Sequence, residues 1–276
     1  MRRLLVIGIG AGDPEHVTMQ AVRALNEVDV FFVIEKGHET DELVRLRREI
    51  CERYISEPGY RIVEIADPVR DRGAGAGASG QGEVSGSSGA AGPGERAGAY
   101  REAVEDWRRR RAEAWGRAIA AELPEEGCGA FLVWGDPSLY DSTLAVLDLI
   151  RAAGEVEFEH EVIPGISSVQ ALTARHRIPL NRVGRPVQIT TGRLLADGFP
   201  EGVDEVVVML DADCSFRHLS DEGLEIHWGA YVGMPDEILI SGPVREVGER
   251  IVRERAQARE RKGWVMDAYV LRKGAG

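Results

Sequence analysis

One carboxylate, Asp136, stands where it could meet a ligand, in Trp134-Gly135-Asp136-Pro137-Ser138-Leu139-Tyr140-Asp141-Ser142-Thr143. Gly135 lets the backbone approach a bound molecule or turn sharply. Pro137 fixes its own φ and pushes Asp136 towards an extended conformation. Hydroxyls surround it at Ser138, Tyr140, Ser142 and Thr143. Read without context, the same residues form a tight turn, with Asp141, Ser142 or Thr143 capping the next helix. A second carboxylate, Asp13, closes Gly8-Ile9-Gly10-Ala11-Gly12-Asp13-Pro14. It occupies the position where a dinucleotide fingerprint needs glycine or alanine, so the loop fails that pattern. Arg175, Arg177, Arg182, Arg185 and Arg193, with His176, form a basic run whose guanidinium forks suit carboxylates. The competing reading is surface charge on a loop. Ser167 and Ser168, in Pro164-Gly165-Ile166-Ser167-Ser168, lack the G-x-S-x-G setting of a nucleophile. The six histidines show no H-E-x-x-H and no cysteine partners, so zinc chemistry is unsupported.

Strands and helices must position these groups. Ala130 to Val133 reads as a buried strand, and Leu144 to Ile150 repeats apolar residues at helical spacing. The Asp136 motif is therefore a strand-to-helix turn, where open α/β sheets place ligands. Leu4 to Ile9 predicts a first strand, and Thr18 caps a helix with Ala21, Val22 and Leu25 on its inner face. Val28 to Ile34 predicts a second strand. Residues 40–54 predict a helix with Leu43, Leu46 and Ile50 on one stripe, and Arg61 to Ile65 a third strand. Tyr100 to Glu122 predicts a helix with Tyr100, Val104, Trp107, Trp115 and Ile119 along one side. Arg108 to Arg111 reads as a solvated face, except that Arg111 continues the apolar stripe and is placed to point inward. Val156 to Ile163 is a further strand, and Ser167 or Ser168 caps the helix carrying Val169, Ala171, Leu172 and Ala174. Beyond it, Val187–Thr191, Glu205–Leu210, Ile226–Val232, Glu237–Ser241 and Trp264–Leu271 are strand-like, and only 245–262 is clearly helical. Strands alternating with helices, then a strand-rich half, predict two α/β domains, 1–165 and 166–276, joined near Pro164 to Ile178. Residues 73–98 break the pattern: ten Gly, six Ala and four Ser among 26 residues cannot build a core. They are expected to form a disordered surface insertion.

The 276 residues suffice for sizeable cores, and 43% hydrophobic with 29% charged residues suits a soluble globular chain. A net charge of −12 argues against a nucleic-acid partner. Cys51, Cys128 and Cys214 lie far apart without C-x-x-C and read as free thiols of a reducing cytosol. The apolar run after Met1-Arg2-Arg3 is short, has no cleavage site behind it and ends at Gly12-Asp13-Pro14, so it reads as a strand and not a signal peptide. No apolar run approaches the roughly 18 residues that span a membrane. The expectation is a cytoplasmic protein with no membrane partner.

Four segments stand in order: G-I-G-A-G-D-P at 8–14, W-G-D-P-S-L-Y at 134–140, P-G-I-S-S at 164–168 and G-M-P-D-E-I-L at 233–239. Together they resemble the tetrapyrrole (corrin/porphyrin) methylases over nearly the whole chain outside the Gly-rich insertion. The longer wording at 104–112, 131–143 and 164–181 resembles the branch that methylates C1 of precorrin-5 and expels acetate in cobalamin biosynthesis. Departures are Ala11 in place of the family's proline, Arg108 where histidine follows V-E-D-W, and the position of the insertion. The resemblance implies S-adenosylmethionine in a cleft between two α/β domains and, by family habit, a homodimer. It implies that Trp134, Gly135, Asp136 and Tyr140 contact the cofactor and that Ser167 and Ser168 face it. Met209, Leu210, Val232, Gly233 and Met234 would line its adenosine, although ordinary core accounts for Met209 and Leu210 equally well. The loop around Gly10 is assigned to the tetrapyrrole side, with Arg175, Arg177 and Arg182 on its carboxylates. Asp13, Asp136 and His176 are the candidates for positioning the water that removes the acetyl group.

Sister precorrin methylases, such as one acting at C11, would share the cofactor motifs, as would diphthine synthase, a relative with a protein substrate. A nicotinamide dehydrogenase fails on glycine spacing, despite Glu35 after the second strand. A non-catalytic S-adenosylmethionine-binding protein would keep the cleft without turnover.

Overall fold

The continuous apolar runs of the first half assemble into a sheet covered on both faces. The computed structural model describes all residues except 36–40, 58, 69–92, 220–222 and 275–276. In it β1 (Arg2–Gly8), β2 (Val30–Glu35), β3 (Arg61–Ala66), β4 (Cys128–Val133) and β5 (Phe158–Ile163) pair in parallel, in the order β3-β2-β4-β1-β5. Leu4 and Val6 of β1 pack with Phe131 and Val133 against Trp115 and Ile119 of α3 (Pro93–Glu122) and Val146 and Ile150 of α4 (Thr143–Ala153). Leu5 and Ile7 point the other way, onto Ala21 and Leu25 of α1 (Met19–Leu25) and Leu46 and Ile50 of α2 (Asp41–Tyr54). Burial of successive residues on opposite faces is why β1 and β4 show no polar alternation.

The second half contributes α5 (Ser168–His176), β6 (Val187–Thr191), α6 (Gly192–Leu195), β7 (Glu205–Met209), β8 (Leu224–Ala230), β9 (Ile238–Pro243), α7 (Val244–Lys262) and β10 (Asp267–Lys273). Its sheet runs β6-β7-β10-β8-β9, with β6 and β7 parallel and the other neighbours antiparallel. Trp228, Tyr269 and Val208 share the face covered by Ile251 of α7. Val207 and Val270 face Val169 and Leu172 of α5. The mixed α/β architecture with two sheets agrees with the sequence expectation, and no helix among the described residues is long and apolar enough to cross a membrane.

Three details differ. Most of 73–98 lies outside the described residues, but 93–98 belong to α3, which starts at Pro93. Proline is favoured at a first helical position because its missing N–H has no partner there anyway. At α4, Ser142 occupies the N-cap without a side-chain cap bond, and Asp141 Oδ1 accepts from Thr143 N at 2.6 Å instead. Short helical turns at Pro14–His16, Gly192–Leu195 and Ser215–Leu219 had no periodic signal, being under two turns long.

Candidate functional site

β1, β4 and β5 end at one edge, and the turns that follow touch backbone to backbone. Gly10 and Gly135 form an isolated bridge, with Gly135 N donating to Gly10 O at 2.8 Å. A Cβ on Gly165 would stand 2.1 Å from Gly135 O, and one on Gly8 would stand 2.6 Å from Gly165 N, so only glycine fits there. Asp136 ties the two turns together. Its Oδ1 accepts from Ser138 N at 2.8 Å and from Ser138 Oγ, and its Oδ2 accepts from Gly165 N at 2.9 Å. Burial opposes ionisation, but these three hydrogen bonds outweigh it and hold the Asp136 carboxyl below its ordinary value. A carboxylate so engaged is a clamp between turns and a poor base.

Across from this edge, β7 and β8 end where antiparallel β10 begins: Met209 lies opposite Ala268, and Ala230 opposite Asp267. A cavity of about 310 Å³ separates the two edges. Of the residues named from the sequence, Trp134, Gly135, Asp136, Tyr140, Ser167, Ser168, Met209, Leu210 and Val232 line it. Among the described residues, three of the five non-glycine residues with positive φ, Tyr140, Leu210 and Tyr231, are also in its wall. Backbone strain of this kind collects where the fold is bent to a ligand. The Tyr231 hydroxyl, 2.6 Å from Trp264 O, anchors one such turn.

The wall contains charged groups that motif reading missed. Asp267 Oδ2 accepts from Trp228 Nε1 and Arg255 Nε, both at 2.9 Å. Burial pushes the Asp267 carboxyl above its ordinary value, against the pull of the Arg255 charge. Arg111 is buried: Nε and NH2 donate to Asp67 Oδ1 and Oδ2 at 2.6 and 2.7 Å, and NH1 to Ser142 Oγ at 3.0 Å. Arg47 lines the same cavity. Arg111 and Arg47 both sit on the apolar stripes of their helices, and that periodicity was the available signal. Asp267 opens an apolar strand and gave none.

Two lining residues, Trp115 and Trp134, hold indole N–H groups that are buried without an acceptor among the described residues. Unpaired buried donors are costly. The apolar strand ends, the serine hydroxyls and the volume suit a nucleoside-sized cofactor.

A second, open depression of about 900 Å³ lies beyond the 11–12 and 232–233 backbones and is lined by Gly12, Asp13, Arg45, Arg175, Gly233 and Met234. Gly233 and Met234 thus stand apart from the other predicted cofactor residues. Asp13 caps the turn after it, its Oδ1 accepting from Glu15 N at 2.8 Å. Gly10, His176, Arg177 and Arg182 line neither cavity. His176 Nε2 lies 3.0 Å from Trp228 O, and its ring meets that of His227 edge-on at 5.4 Å. The basic run is engaged within the chain: Arg175 pairs with Glu237, Arg182 with Glu205 and Arg185 with Asp204, while Arg177 is the left-handed C-cap of α5. Cys51, Cys128 and Cys214 are free and buried, and burial pushes each thiol up to about 11. None is poised as a nucleophile.

A family model of tetrapyrrole (corrin/porphyrin) methylases matches residues 3–248. A precorrin-6A synthase [deacetylating] from Sinorhizobium sp is 50% identical over 275 residues, covering 100% of this chain and 97% of that protein. The crystal structure of a cobalamin synthesis related protein, CobF, from Corynebacterium diphtheriae superimposes with a TM-score of 0.79 at 33% identity, over 99% of each chain. A uroporphyrin-III C-methyl transferase from Thermus thermophilus, solved with S-adenosylhomocysteine, shares the fold with a TM-score of 0.54 at 18% identity, over 98% of this chain and 96% of that one.

Proposed function

The chain belongs to the tetrapyrrole (corrin/porphyrin) methylases, and on that premise we infer that it methylates C1 of precorrin-5 with S-adenosylmethionine and releases acetate, giving precorrin-6A for cobalamin biosynthesis. The observation that carries this reading is a cavity on which turns of both sheets converge, in a chain half identical over its length to an enzyme of that reaction. When bound, S-adenosylmethionine supplies an electrophilic methyl group on a sulfonium leaving group. The chain contributes alignment and exclusion of water. Trp134, Gly135, Tyr140, Ser167, Ser168, Met209, Leu210 and Val232 would hold the cofactor, and Asp136 would fix the turns that carry them. A 310 Å³ cavity takes one cofactor. The larger macrocycle presents its reacting edge at the mouth, where Tyr140 and Leu210 are exposed. The assignment rests on two domains, 1–165 and 166–276, closing on this cavity.

Acetate release needs water oxygen to bond to the acetyl carbonyl carbon while the ring–acetyl bond breaks, its electron pair passing into the ring and the water proton to a base. Asp136 is committed to the turns and His176 lies away from both cavities. We therefore assign the base to Asp13, which faces the open depression. Asp13→Asn should keep methylation and lose acetate release; equal loss of both would refute the assignment. The homodimer belongs to the same reading, and sedimentation at twice 30.2 kDa tests it. The decisive test is incubation with S-adenosylmethionine and enzymically made precorrin-5, followed by mass spectrometry. One methyl gained with one acetyl lost is expected. Methylation alone would indicate a sister enzyme, and cofactor binding without turnover a binding protein.

A further inference from the structure

Arg47 stands out among the cations in the cavity wall by what it lacks. It projects from α2 towards the end of β4, where Nε donates to Leu132 O at 3.3 Å and NH1 to Leu43 O at 3.5 Å. Both bonds are long, both acceptors are neutral, and no carboxylate among the described residues pairs with it. Among the described residues, Asp141 is the one acid whose charge acts on it, and that side chain already receives Thr143 N. Arg47 is half-buried, and burial pulls its guanidinium below the ordinary value against the opposing charge of Asp141.

Its neighbour sharpens the point. Arg111, in the wall of the same cavity, spends its guanidinium on Asp67 and Ser142. Arg255, behind the lining residue Asp267, is paired with it. Buried charges in proteins are paired, so a half-paired arginine lining a ligand cavity marks where a ligand anion docks.

We propose that Arg47 is a ligand-binding residue of the transfer site, gripping a ligand carboxylate through the fork of its guanidinium. The assignment rests on the methylase reading above, which offers two carboxylate sources: the methionine end of the cofactor and the acetate or propionate arms of the precorrin. Within the basic run at 175–193, the sequence's apparent answer to an anionic substrate, Arg175, Arg182 and Arg185 pair with the chain's own acids.

Isothermal titration of the full-length wild type, Arg47→Met and Arg47→Lys with S-adenosylhomocysteine and with 5′-methylthioadenosine separates the sources, because only the first ligand carries the carboxylate. Arg48→Met, an exposed neighbour on α2, is the control. If the cofactor carboxylate is the partner, Arg47→Met weakens S-adenosylhomocysteine by roughly 10- to 100-fold, the range for a charge-assisted bond, and leaves 5′-methylthioadenosine unchanged. If the precorrin carboxylate is the partner, both nucleosides bind as in wild type and KM for precorrin-5 rises by a similar factor. Should Arg47→Met fail to fold, Arg47→Lys, which keeps the charge but loses the fork, gives the same comparison. Equal weakening of both nucleosides, or no change in nucleoside affinity and KM alike, overturns the assignment while the methylase reading stands. Wild type that binds neither nucleoside overturns the methylase reading, and the Arg47 assignment with it.

Discussion

Asp67→Ala should destabilise the protein by about 3 kcal/mol, because it strands a buried guanidinium. Arg111 is 3% exposed, and Asp67 takes two of its donors at 2.6 and 2.7 Å. Removing one partner of a buried pair costs about 3–5 kcal/mol. The Trp107 ring at 4.1 Å and the Ser142 hydroxyl at 3.0 Å stay in place and soften the loss, which selects the lower end of that range. In a chain of this size each kcal/mol moves the melting midpoint by about 2 °C, so a fall of about 6 °C is expected. Urea unfolding read by tryptophan fluorescence, with calorimetry alongside, measures both quantities. The double variant Asp67→Ala/Arg111→Met removes both charges and should be more stable than Asp67→Ala alone, since no buried ion is left unpaired. A single-variant cost below about 1 kcal/mol, or a double variant losing the sum of the two singles, would refute the reasoning.

Two other perturbations follow from the geometry. Lys262 joins the two halves: Nζ reaches Glu42 Oε1 at 2.8 Å and Asp236 Oδ2 at 2.5 Å and lies 4.7 Å from the Tyr231 ring centroid. Lys262→Met should therefore cost about 1–2 kcal/mol and weaken cofactor binding; a Lys262/Glu42 double-mutant cycle with no coupling would contradict this. His176 and His227 are both held below their ordinary pKa of 6.5, chiefly by burial. Glu237 opposes the shift at His176, His176 and Arg272 reinforce it at His227, and Glu225 opposes it there. The unfolded chain binds their protons first as pH drops below 6.5, so their contribution is intact above that pH and lost beneath it. Melting midpoints of wild type and of the His176→Asn/His227→Asn variant between pH 8 and 5.5 should converge as pH falls; parallel profiles would sink the prediction.

Much of this was legible in the chain. Residues 4–9 and 130–133 had to be buried strands because they are apolar at successive positions, and Thr18 and the Ser167–Ser168 pair announced their helices as caps, a role that Thr18 and Ser167 take. The turn at 134–136 was visible through Gly135 and Pro137, which restrict the backbone locally whatever surrounds them. The stripe on α3 pointed Arg111 inward. These are properties of neighbours along the chain, and neighbours are what a sequence displays.

Partnership across the fold was hidden. Arg175 reads as free charge until Glu237, 62 residues on, closes on it, and Arg182 and Arg185 are claimed by Glu205 and Asp204 in the same way. Asp136 looks like a candidate base until Gly165 N, from another turn, takes its second oxygen. Arg47 lies on an apolar stripe but belongs to no motif; what singles it out is that no carboxylate among the described residues pairs with it. The sequence determined which segments could fold and where their turns would cluster. Only the packing of two sheets edge to edge decided which charges cancel and which are left for a ligand, because Coulomb energy and desolvation depend on distance and burial, and neither is written in residue order.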